Sequence, residues 1–159
     1  MTTKIDFDED EWARILRAPM IAGLAITLAD PGGPIEAAKE TMAAMKSATS
    51  PPSREQLLAE VALDVQGLMQ AKQNPLSGFK PDKGSPPGDQ VLDELRAVQG
   101  LVSAKATAEE TTAFGEWLVA SAQAAAEAAK EGGFMGFHAV RVSEREQAML
   151  DKVREAVAA

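Results

Sequence analysis

The stretch Ala18-Pro-Met-Ile-Ala-Gly-Leu-Ala-Ile-Thr-Leu-Ala-Asp-Pro-Gly-Gly-Pro-Ile-Glu-Ala-Ala-Lys-Glu40 joins a nearly all-apolar run to a helix-restart signal. From Met20 to Ala29 only Gly23 and Thr27 break the succession of apolar side chains, so the run has no polar face. In a soluble protein, a helix that is hydrophobic all round is enclosed by other helices. The expectation is therefore an all-α fold with this helix at its centre. Pro19 is placed at the helix start, where a missing N–H does no harm, and Pro31, Gly32 and Gly33 end the helix before Pro34 opens the next. The apolar run lies between Arg17 and Asp30 and is shorter than the roughly 20 apolar residues of a bilayer span, so no membrane association is expected. Ala22, Gly23 and Ala25 are small enough for a neighbouring backbone to come close. Close helix packing is the plainer reading of them, and a slot for a ligand, with Gly23 in its wall, is the alternative.

Outward from this segment, helix starts are marked by a capping residue followed three positions later by Glu or Gln. These are Asp8 with Glu11, Ser53 with Gln56, Thr107 with Glu110, and Ser143 with Glu146. The first introduces a short helix from Glu9 to Arg17 with Trp12, Ile15 and Leu16 on its apolar face. After Pro34, the spacing of Ile35, Ala38, Met42 and Met45 predicts a narrow seam against one neighbour. Leu57, Leu58, Val61, Val65, Leu68 and Met69 line one face of a helix over 54–72. Val91, Leu95, Val98 and Val102 do the same over 90–104, and Phe114, Leu118, Ser121 and Ala125 over 108–130, with Trp117 beside them. Met149, Leu150, Val153 and Val157 mark a last helix from Glu144. The alanine-rich 121–129 stretch reads as a packing surface, because alanine favours helix and allows close approach.

Residues 73–89 hold four prolines and three glycines and cannot be helical throughout, so a mobile connecting loop is expected there, its first part pinned by Leu76 and Phe79. The chain of 159 residues is expected to form a single helical domain, residues 1–159, large enough to fold without metal or disulfide.

Composition excludes several function classes. With no cysteine there is no thiolate metal site, iron–sulfur cluster or cysteine nucleophile. A net charge of −8 with scattered Lys and Arg argues against nucleic acid and anionic membranes as partners. The first residues lack the pattern of a secretory signal, so a cytoplasmic location is expected. Asp6, Asp8 and Asp10 imitate the start of an EF-hand loop, but Glu11 stands where glycine is needed and Arg17 where glutamate is. Glu36, Glu40, Glu60, Asp64, Asp93 and Glu94 lie at helical spacings and read as a solvated face rather than a two-metal bundle site, which also needs Glu-x-x-His pairs. No metal and no cofactor are expected.

The only histidine, His138, sits in Gly-Gly-Phe-Met-Gly-Phe-His at 132–138. No acid, base or metal partner is specified for it by spacing, and the plainer reading is a helix connection with Gly132 as cap. Phe134, Met135 and Phe137 are of the kind enriched at interface cores. The reading that results is a compact all-α bundle of about six helices acting as a non-catalytic interaction or scaffold protein, with a homo-oligomer or a protein partner. Its first alternative is a carrier or sensor that holds an apolar small molecule near Gly23, Trp117, Phe134, Met135, Phe137 and His138. An enzyme using His138 with a carboxylate brought to it by folding is the last.

Overall fold

The computed structural model describes residues 1–128 and 142–158. After a 3-10 turn at Lys4–Asp6, the described residues form six α-helices and no strand: α1 Glu9–Ala29, α2 Pro34–Ala48, α3 Gln56–Gln70, α4 Pro87–Lys105, α5 Ala108–Ala128 and α6 Glu144–Val157. They pack closely as one helical bundle. Helix α1 touches all five others, and so does α5. The expected central helix is present, and a second helix shares the centre with it.

The central helix is longer than its sequence punctuation suggests. Pro19 does not begin a helix but lies inside α1, buried among Ile15, Ala18, Met20 and Ile21. A proline in a helix interior removes one backbone hydrogen bond and costs about 3 kcal/mol or more. Eleven residues of α1 are buried, on both sides of Pro19, and burying a large apolar side chain is worth about 1.5–3 kcal/mol. Continuing the helix through the proline keeps both apolar stretches on one core. The apolar run alone is shorter than a bilayer span, but the 21-residue helix that contains it is long and apolar enough for one by length and composition. Much of that length is covered by protein.

Three of the four capping boxes are formed. Asp8 accepts from the Glu11 amide and Ser143 from the Glu146 amide, each glutamate reaching back to the capping residue. Thr107 and Glu110 exchange the same pair of bonds at the start of α5. Ser53 does not cap α3, whose preceding residue is Glu55, and α4 begins at Pro87 rather than Gln90. The connection before α4 is tied at several points. Pro75 is buried, Leu76 and Phe79 pack on the core, and Arg17 donates to the Ser77 carbonyl. Gln90 accepts from the Asp82 amide and donates to the Asp82 and Ser85 carbonyls.

Candidate interaction surface

Helices α1, α2 and α5 converge on Gly23. A Cβ on that residue would stand 2.5 Å from the Ala44 Cβ, too close for both to fit, and at ordinary contact, 3.7 Å, from the Ala125 Cβ, so Ala44 occupies the space its side chain would need. Further along the same α2–α5 seam, the Trp117 indole N–H donates to the Ser47 carbonyl at 2.7 Å, and the Ser47 and Ser121 hydroxyls are 2.8 Å apart. Trp117 is fully buried, with Phe114 edge-on at 6.3 Å. Gly23 and Trp117 thus belong to one packed seam. The cavity beside Gly23, lined by Met20, Leu24, Thr27, Thr41 and Leu76, holds about 50 Å³. Pockets for drug-sized ligands run to roughly 300–1,000 Å³. Phe134, Met135, Phe137 and His138 lie outside the described residues.

The acidic groups whose protonation is displaced serve structure. Burial pushes the Glu110 carboxyl up, but hydrogen bonds from the Thr2 hydroxyl, the Thr2 amide and the Thr107 amide outweigh it and hold the group below the ordinary range. Burial also raises Asp64, while the Lys4 ammonium and the Trp12 indole N–H, both bonded to it, prevail and lower it. Arg14 meets Glu94 through two bonds, of 2.8 and 3.1 Å. Among the described residues no group of three or more acidic or histidine side chains is placed to hold a metal ion.

Helix α2 is turned opposite to its sequence pattern. The residues it buries are Glu40, Ala44 and Ala48, and Glu40 accepts a hydrogen bond from the Thr27 hydroxyl of α1. Ile35 is 74% exposed and Met42 69%, Ala38 between them is exposed, and Met45 is half-buried. Of the seam expected to meet a neighbour, Ile35, Ala38 and Met42 therefore face outward, and Met45 alone packs against the core. The physical reason is the small-residue edge of the helix. Ala44 and Ala48 let α2 approach α1 and α5 at the depth set by Gly23, Ser47 and Ser121, and a seam of isoleucine and methionine is too bulky for that approach. Nor are the six acids a uniformly solvated face, since Glu40 is buried and Glu94 and Asp64 are paired.

Spacing alone assigned Ile35 and Met42 to an interior seam. The signal that points the other way is the alternation of Ala37, Ala44 and Ala48 on the opposite side of the same helix, matched by the small residues of α1 and α5. Comparison with protein-family models, with curated proteins and with solved structures gives no match to this chain.

Proposed function

We propose that this chain is a non-catalytic cytoplasmic interaction or scaffold protein that associates with copies of itself or with another protein through the outer face of α2. One observation carries this reading. An amphipathic helix in a bundle normally buries its apolar side, whereas α2 turns Ile35, Ala38 and Met42 to solvent and takes the Glu40 carboxyl inward. Exposed large apolar side chains grouped on one helix face favour association, because a partner that covers them removes apolar surface from water. The packed seam at Gly23 and Trp117 supplies rigidity to α2.

The test is sedimentation velocity, with native mass spectrometry of gently purified protein, from about 1 to about 100 μM, the range in which modest interfaces show themselves. The parent chain is expected to form an oligomer or to retain a protein partner, and the Ile35→Glu/Met42→Glu double variant to lose either while keeping its helical circular dichroism. A parent chain that stays a bare monomer throughout and captures no partner overturns the reading.

A further inference from the structure

A second surface lies along the N-terminal half of α1. One groove, of about 400 Å³, is lined by Ile5, Phe7, Trp12, Ala13 and Leu16, with Asp8 and Glu9 at its rim. Another, of about 520 Å³, is lined by Ala13, Leu16, Arg17, Leu68 and Pro75. They share Ala13 and Leu16 and so adjoin along α1. From Asp8 to Arg17 the helix rises about 14 Å at about 1.5 Å per residue, or some two and a half turns. Ile5, 91% exposed, stands at one end as an apolar post.

We infer that this groove takes an amphipathic helix with a basic flank, supplied by another protein. This rests on the reading of the chain as an interaction protein but uses a different surface from α2. Apolar side chains of a docked helix at i, i+3 or i+4, and i+7 span the length available. Charge selects the partner. Residues 1–11 carry a net side-chain charge of −4, and the chain as a whole −8. The cationic groups at the groove are already engaged, Lys4 with Asp64, Arg17 with the Ser77 carbonyl, and Lys105, whose ammonium lies over the Phe7 ring, with Glu11. Glu9, which lines the groove, and Asp10, the next residue of the helix, are exposed, with no ion pair among the described residues. A second copy docked by symmetry would set this acidic rim against itself, and an acidic helix would be repelled in the same way. A helix with Lys or Arg beside its apolar stripe gains attraction at Glu9 and Asp10 and a faster encounter.

The experiment uses the whole chain and two fluorescent peptides of about 18 residues, one with leucines at the apolar positions and lysines elsewhere, the other with the same leucines and glutamates. Anisotropy is followed at low and high salt. The lysine peptide is expected to bind at least about tenfold more tightly than the glutamate peptide, more weakly as salt rises. Ala13→Phe, which fills the groove, and Glu9→Lys/Asp10→Lys, confined to its exposed rim, should each weaken it about tenfold by the same affinity arithmetic. Ile35→Glu/Met42→Glu should leave it unchanged, so a failure here is separable from a failure of the α2 reading. Equal binding of the two peptides, undiminished binding by the folded rim variant, or an Ala13→Phe effect on self-association instead of peptide affinity overturns the inference.

Discussion

At Gly23 a missing side chain sets the distance between three helices. Alanine there would gain about 1 kcal/mol in helix propensity. It would also place a methyl group 2.5 Å from the Ala44 Cβ, nearer than side chains approach. Overpacking of a filled core costs about 1–3 kcal/mol, so the packing effect outweighs the propensity effect. Gly23→Ala is expected to lower stability by up to about 2 kcal/mol in urea denaturation. Ala44→Gly in that background should restore part of the loss although it is destabilising alone, a coupling that contact between the two residues requires. An unchanged midpoint in Gly23→Ala would show that α1 and α2 separate at little expense. The smallness of Gly23 was legible in the sequence, but its neighbours were not. A run of small residues announces a close approach without saying what approaches, and Ala44 and Ala125 come from distant parts of the chain.

At the level of the helix, local signals were read correctly where local chemistry decides the outcome. Asp8, Thr107 and Ser143 cap the helices they were expected to cap, because their bonds reach only three residues ahead. The apolar faces of α4, α5 and α6 are buried as their spacing implies. The reading failed where burial overrode a local preference. Pro19 reads as a helix start, yet α1 runs through it. Ile35 and Met42 read as core, yet the small edge of α2 fits the bundle better. Pro19→Ala measures the first conflict. It returns a backbone N–H to the turn and removes a helix penalty of about 3 kcal/mol, while the lost ring contacts and residual space subtract about 1–2 kcal/mol. A net gain of about 1–2 kcal/mol is expected, seen as a higher Tm. A lower Tm would mean that α1 needs the proline's geometry for its two ends to meet the core together.

Across the whole molecule, the first seven residues act as a strap joining α3, α4 and α5. Thr2 donates twice to Glu110 on α5, Lys4 binds Glu60 and Asp64 on α3, and Lys105 of α4 donates to the Asp6 carbonyl and to Glu11. The partners of Thr2, Lys4 and Glu11 are not legible in the sequence, because they lie about 50 to 110 positions away and are brought near only by folding. The buried member, Glu110, makes this strap sensitive to acid. Its carboxyl is held below the ordinary value of 4.5 by three hydrogen bonds, so the folded state binds a proton less readily than the unfolded chain does. The stability this supplies is present in full above the unfolded value and is lost as pH falls through the folded one. Glu110→Gln keeps the shape but places an amide N–H₂ where two of the donors point. At pH 7 the variant should be about 1.5–3 kcal/mol less stable than the parent, the usual worth of hydrogen bonds to a charged group. The difference should narrow as pH is lowered below about 4.5, because protonation then removes from the parent what the substitution has already removed from the variant. Urea denaturation of both proteins between pH 7 and pH 3 checks this, and parallel curves at every pH would show that the Glu110 charge contributes nothing to holding the strap.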